Sequence, residues 1–186
     1  MNESMTPAFL ETSRLRLRPI QEADGDAFHE MYADPETMKY WSNPPVQSRQ
    51  ESQTLVNSDI EAMEQGNGIF WSVVLEQSVI GKCVLFQFSL QNRRAEVGYL
   101  LRRDYWRRGL MTEAMGEILR HAYEDLKLHR LEADVDKDNQ GSIQLLESLG
   151  FQKEGYFRER WNVYGQWQDS IMYGMLKPDW KAARSG

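Results

Sequence analysis

The apolar positions of this chain change period several times, and each change marks an element. Arg14-Leu15-Arg16-Leu17-Arg18 alternates with period two, which predicts a strand with one wet face. Ala23 to Ala33 has helical spacing with Asp24 near its start. Arg49 to Gln65 reads as a second helix, ended by Gly66-Asn67-Gly68. Ile69 to Leu75 and Val79 to Leu90 predict two strands joined around Glu76-Gln77-Ser78, and Gln91-Asn92-Arg93-Arg94 turns the chain into a further strand, Ala95 to Leu101. Leu110, Ala114, Ile118, Leu119, Ala122 and Leu126 then recur at helical spacing. His129 to Val135 reads as a strand and Ser142 to Leu149 as a short helix. Strands around Gly155 to Glu159 and Asp169 to Leu176 finish the order β, α, α, β, β, β, α, β, α, β, β.

Consecutive hairpins predict antiparallel pairing in the first half. The helix between the Glu96 strand and the Leu131 strand predicts a parallel crossover. The expected class is therefore α/β (α+β): a mixed, mostly antiparallel central sheet with helices on both faces. It is read as one domain over residues 8–180, with residues 1–7 and 181–186 as flexible termini. A chain of 186 residues with 41% hydrophobic composition can bury one good core but not two comfortable domains.

Charge and cysteine usage narrow the partners. Twenty-two basic against 28 acidic residues give −6, with a pI near 5.2, which argues against nonspecific nucleic-acid binding and favours cationic partners. The single cysteine, Cys83, excludes an intrachain disulfide, and His29, His121 and His129 lack metal-ligand spacing, so no metal is expected. No apolar run is long enough to cross a membrane, and the N-terminus lacks a signal-peptide pattern. A soluble, cytoplasmic protein is the expectation.

The chemistry concentrates in two motifs. Tyr105-Trp106-Arg107-Arg108-Gly109-Leu110-Met111-Thr112-Glu113-Ala114 joins a strand to a helix. A helix N-terminus offers unpaired N–H groups and a partial positive charge, Gly109 permits close backbone approach, and Arg107 and Arg108 add charge, so the junction reads as an anion site. It lacks the lysine of a P-loop and the three-glycine spacing of a dinucleotide fingerprint. About thirty residues on, Asn139-Gln140-Gly141-Ser142 opens a helix that Gly150-Phe151 closes, with Asn139 as its cap and Ile143, Leu146 and Leu149 as its buried stripe.

Together these motifs resemble the GNAT superfamily of acyl-CoA-dependent N-acetyltransferases, whose phosphate motif runs Gln/Arg-x-x-Gly-x-Gly/Ala. Trp106 in the first position, Thr12 to Arg18, Ala95 to Tyr99, Thr112-Glu113-Ala114 and Asp169-Ser170-x-x-Tyr173 resemble the RimJ/RimL-type ribosomal-protein N-terminal acetyltransferases. The resemblance implies acetyl transfer from acetyl-CoA to a primary amine, most of all a protein N-terminal α-amino group, with coenzyme A released. A small amine, amino acid or antibiotic is the alternative acceptor, and a non-catalytic acyl-CoA-binding module the alternative of another class. A homodimer is left open.

Site roles follow from the same resemblance. The backbone of Trp106, Arg107, Arg108, Gly109, Leu110, Met111 and Thr112 would hold the pyrophosphate. The strand Val97, Gly98, Tyr99, Leu100 and Leu101 would pair with the pantetheine arm, where two parallel strands splay apart. Asn139 would position that arm and Ser142 would assist the departing thiolate, since Leu146 stands where many members carry a tyrosine. Glu96 is the candidate base and acceptor contact; its other reading is an exposed carboxylate paired with Arg93 or Arg94. Ser142 has a second reading too, a first-turn residue bonded to the backbone. Met111 replaces a small residue, and its side chain either enters the sheet or crowds the ligand. Trp41, Trp161 and Tyr164 are candidate acceptor-cleft residues or lids on the core. Glu113 and Asp169 are weaker candidates for a cationic acceptor, and Cys83 reads as a core residue.

Overall fold

A computed structural model describes residues 7–183. Eight strands form one sheet in the order β1-β2-β3-β4-β5-β6-β8-β7. They are β1 (Leu10–Glu11), β2 (Leu15–Pro19), β3 (Gly68–Leu75), β4 (Ser78–Ser89), β5 (Arg94–Leu101), β6 (Arg130–Asp136), β7 (Gln152–Val163) and β8 (Gln166–Leu176). Every pairing is antiparallel except β5 with β6. The helix that enforces this crossover is α4 (Leu110–Arg120), which continues into one wide π turn at His121–Asp125. The mixed sheet with its parallel pair is the class that the hairpins and the crossover predict.

Helices cover both faces. On one side α4 and α5 (Gln140–Leu149) pack on the main core; Leu110, Met111, Ala114, Met115, Ile118 and Leu119 form the buried stripe of α4. Each such side chain, moved fully out of water, contributes about 1.5–3 kcal/mol. On the other side α1 (Gly25–Tyr32), α2 (Pro35–Met38) and α3 (Arg49–Glu64) enclose a second cluster with Phe28, Met31, Val56 and Leu100.

Some elements differ from the sequence reading. β1 is a two-residue strand ahead of the first one predicted, and α2 begins at a proline whose preceding Asp34 caps the amides of Glu36 and Thr37. At four residues, α2 is too short to show a period. The β7–β8 hairpin is far longer than its apolar core, because β7 is exposed along nearly its whole length and carries no burial pattern. α6 (Lys177–Ala183) takes up the first three residues of the tail expected to be loose; residues 1–6 and 184–186 lie outside the described residues.

Two charge clusters lock helices to the sheet. Lys82 on β4 is buried in the second cluster, where its ammonium donates to Tyr32 Oη at 2.8 Å and Asp59 Oδ2 at 2.7 Å. The same ammonium lies 5.3–6.0 Å from the ring centres of Tyr32, Phe70, Phe28 and Trp41. Burial pulls its pKa down, but Tyr32 and Asp59 outweigh this and hold it above the ordinary value. The second cluster fixes the start of α4: Glu113 accepts from Thr12 Oγ1, Ser13 Oγ, the Arg14 amide and Arg14 Nε. Arg14 in turn donates to the Arg108 carbonyl at 3.1 Å.

Both clusters can be tested by unfolding. Asp59→Asn leaves a buried ammonium half-paired and is expected to cost about 3–5 kcal/mol in urea unfolding at pH 7, with Lys82→Met costing less. Burial raises the Glu113 carboxyl, yet its four donors win and hold it at about 2, from 4.5. A depressed carboxylate pKa stabilises above the unfolded value and loses this as pH falls. The gap in urea midpoint between the wild type and Glu113→Gln should therefore stay constant above about pH 5. It should then narrow as pH falls from 4.5 towards 2.

Candidate functional site

The site originates in the parting of β5 from β6. They pair at only three positions, Arg94 with Arg130, Ala95 with Leu131 and Glu96 with Glu132. Beyond these, β5 stays bonded to β4 as far as Leu101, and β6 stays bonded to β8 as far as Asp136. The inner edges separate, and the edge of β5 from Val97 onward faces the gap. In β4 a bulge sets Gln87 and Phe88 opposite Ala95 alone, with Gln87 at φ +50°. Bulges of this kind re-aim side chains beside functional clefts.

A cleft of about 360 Å³ opens at the separation. Glu96, Val97, Gly98 and Tyr99 of β5, Asn139 and Ser142 of α5, Trp41 and Trp161 line it. The structure thus brings eight of the residues singled out from sequence into one cleft, while Trp106 to Thr112 lie outside its lining. Tyr164 is not in the lining; its hydroxyl donates to the Asn43 carbonyl at 2.7 Å and straps the Trp41 loop from outside. On the opposite side, Tyr40 Oη ties that loop to the Asp138 carbonyl at 3.1 Å. Leu100 and Leu101 also lie off the cleft lining: Leu100 belongs to the second cluster, and Leu101 packs on the main core.

At the end of β5 the chain makes a 3-10 turn, and Trp106 Nε1 donates back to the Leu101 carbonyl at 2.7 Å. Arg107 (φ +58°) and Gly109 (φ +70°) are both left-handed, which curls the backbone into a concave turn just before α4. The first backbone bond of the helix runs from the Glu113 amide to the Gly109 carbonyl. The amides of Leu110, Met111 and Thr112 accordingly have no partner within the helix and point out of its positive end. Arg107, Arg108 and Thr112 are exposed around them, and the Arg108 guanidinium stacks over Tyr105. This arrangement suits a phosphate group. The Met111 side chain turns inward: it is 6% exposed, with Sδ 3.7 Å from the Sγ of buried Cys83. Of its two readings, the sheet-facing one holds, and its side chain leaves the turn uncrowded.

Asn139 caps α5, its Oδ1 accepting from the Ser142 amide at 3.1 Å. The Ser142 carbonyl accepts from Tyr99 Oη at 3.4 Å, which bridges the gap from β5 to α5. Leu146, in the position where a tyrosine is common, is fully buried and fills the core.

Alternation along the two strands sorts the charges. Leu131, Ala133 and Val135 face the main core, so Glu132, Asp134 and Asp136 share the opposite face with Glu96. Arg94 and Arg130 pair with Glu132. The reading of Glu96 as an arginine partner is thereby not met, since Arg94 is taken by Glu132 and no ion pair joins Glu96 to Arg93 or Arg94. Burial first, then the negative charges of Asp134 and Glu132, push Glu96 up to about 7; Arg160 and Arg94 pull it the other way.

Asp134, absent from the sequence shortlist, has a side chain only 3% exposed and lines the cleft. Its Oδ2 accepts from Arg160 Nε at 3.3 Å and Trp161 Nε1 at 3.2 Å. The acid-apolar alternation Leu131-Glu132-Ala133-Asp134-Val135-Asp136 was the available signal. Asp169 and Glu113 are remote from the acceptor role considered for them. Asp169 accepts from Tyr156 Oη and the Glu159 amide, clamping the β7 bulge between Phe157 and Trp161. Glu113 is committed to the β1–β2 turn.

With this geometry in place, comparison with known proteins is informative. Residues 14–152 match the acetyltransferase (GNAT) domain. The chain is 32% identical over 173 residues to the uncharacterized N-acetyltransferase p20 of Bacillus licheniformis, covering 92% of this chain and 97% of that protein. Two Escherichia coli relatives carry named acceptors. One is the [ribosomal protein uS5]-alanine N-acetyltransferase, 27% identical over 94% of both chains. The other is spermidine N(1)-acetyltransferase, 26% identical over 84% of this chain and 83% of its own. A GNAT-family acetyltransferase from Bacillus anthracis superposes with a TM-score of 0.82 at 26% identity, over 92% of this chain and 99% of that one. This chain belongs to the GNAT family of N-acetyltransferases.

Proposed function

We propose that the chain moves the acetyl group of acetyl-CoA onto a primary amine, with a protein N-terminal α-amino group as the leading acceptor. The observation that carries this is the acid-lined cleft at the β5–β6 gap, bordered by the same strand that leads into the anion-ready helix start. The amides of the Arg107–Thr112 turn would hold the pyrophosphate, and the free edge of β5 from Val97 onward would receive the pantetheine arm as a strand receives a peptide. Asn139 and Ser142 stand where the arm would end. Ser142 Oγ has no hydrogen bond among the described residues that would hold it to the backbone, which leaves it available to the departing sulfur.

Proton affinity favours the α-amino acceptor. An α-amine near pKa ~8 lies about one unit above Glu96, a gap of about 1.4 kcal/mol. A lysine-type amine near ~10.4 lies over three units above it, or roughly 5 kcal/mol. Glu96 can therefore take the proton from an N-terminus at small cost. The cleft is also bordered by exposed Ser42, Asn43, Gln87 and Trp161, so a chain end can enter it from solvent.

A small polyamine is the second reading, supported by a different feature. Glu96, Asp134 and Asp136 line the cleft, and no lysine, arginine or histidine does. That lining attracts a polycation as readily as a peptide amine.

The decisive assay is thiol release from acetyl-CoA with N-terminal peptides and spermidine. Peptide turnover reduced about 10-fold or more by Ser142→Ala supports N-terminal acetylation with Ser142 at the chemical step. Turnover with spermidine alone supports the second reading, and no turnover despite coenzyme A binding defeats both. Glu96 must be ionised to accept a proton, so kcat/KM should fall as pH drops through about 7. Glu96→Gln should remove that acid limb and lower kcat/KM by about 10²–10⁴.

A further inference from the structure

Asp134 has half of its hydrogen-bonding capacity unused in a place where that is costly. Its Oδ1 is buried and has no partner among the described residues. A buried carboxylate oxygen without a donor carries a desolvation penalty of about 1–3 kcal/mol or more. Its two donors reach only Oδ2, and both contacts are longer than a strong charge-assisted bond. Arg160 is half exposed, and its guanidinium lies over the rings of Phe157 and Trp161, so it does not enclose the carboxylate. The position is held firmly nonetheless, because β6 is bonded to β8 on both sides of it, Asp134 pairing with Met172.

The register places Asp134 relative to Glu96. Glu96 sits opposite Glu132, and Asp134 lies two residues further along β6 on the same face, roughly 7 Å along the strand. Both line the cleft, at the point where the strands have parted and no backbone bonds fill the space between them. A small cationic donor would meet two carboxylates there, Glu96 and Asp134.

We propose that Asp134 is the positioning residue for the acceptor, its carboxylate receiving the substrate ammonium and holding the nitrogen beside Glu96. This rests on the reading of Glu96 as the base of an amine acetyltransferase. The acceptor enters as R–NH3+ and donates to the Asp134 carboxylate. It gives one proton to the Glu96 carboxylate, and the freed lone pair attacks the thioester carbonyl carbon. The C–N bond forms and the C–S bond breaks, with its electron pair passing to sulfur. The second proton leaving nitrogen neutralises the thiolate, so the products are the amide and the thiol, and Glu96 returns its proton to water.

The test is steady-state kinetics of Asp134→Asn and Asp134→Glu with whichever amine the wild type acetylates. Asp134→Asn should raise the acceptor KM about 10- to 100-fold and leave the acetyl-CoA KM within twofold. The groups acting on Glu96 are Asp134 and Glu132 of β6, Arg94 of its own strand and Arg160 of β7. Removing the Asp134 charge should therefore also move the acid limb of kcat/KM to lower pH. Asp134→Glu keeps the charge but displaces it by one methylene. It should leave the limb in place while still raising the acceptor KM several-fold, and it answers the question if the asparagine variant does not fold. An unchanged acceptor KM in a folded variant, or equal changes in both KM values, overturns the proposal and leaves Asp134 as an anchor for Trp161 and Arg160. Failure of the wild type to acetylate any amine is a different result, and it defeats the acetyl-transfer reading itself.

Discussion

Two neighbouring parallel strands that stop bonding after three residue pairs set the terms for everything around them. A gap inside a sheet would normally close, because unpaired backbone groups and apolar surface both favour contact. Here each strand is held by its outer neighbour, β5 by β4 and β6 by β8, and each face is covered by its own group of helices. The opening is held between two separately packed halves. It exposes a strand edge, receives the helix start that follows β5, and brings α5 to its rim.

The electrostatics of the site follow from the same geometry. Four acids share one face around the gap, and the protein neutralises them unequally. Glu132 has two arginines, Asp134 has the long contact to Arg160, and Glu96 has no ion pair among the described residues. Its proton affinity rises to near neutrality. The exposed arginines of the α4 start, Arg107 and Arg108, lie outside this acidic lining.

Much of this was legible from residues alone, and the limits have physical causes. The α4 start was readable because glycine, flanking arginines and a helical stripe are local signals. Glu96 and Ser142 were placed by motif spacing, and their convergence on one cleft agrees with it. The fate of Met111 was not readable, since side-chain direction at the first turn depends on which face of the helix meets the sheet. Asp134 was hidden for another reason: on a strand, an acid beside an apolar residue looks like a solvent-facing position. Its contacts to Trp161 and Arg160 come from beside a β7 bulge 26–27 residues later in the chain. Tyr164 looked like a cleft residue because it is aromatic and near Trp161, but the hairpin turn carries it to the outer side of the Trp41 loop.

The pairing of Cys83 with Met111 bears on the fidelity of a thioester-handling enzyme. Any accessible thiolate near an activated acyl group is a rival acceptor, and transfer onto it would leave the protein acylated on itself. The chain has one thiol, wholly buried under the first turn of α4, where burial drives its pKa far above the ordinary value. The residue that departs from the family's small-side-chain pattern helps seal it there. Packing thus keeps the protein's own sulfur out of reach of an acyl donor.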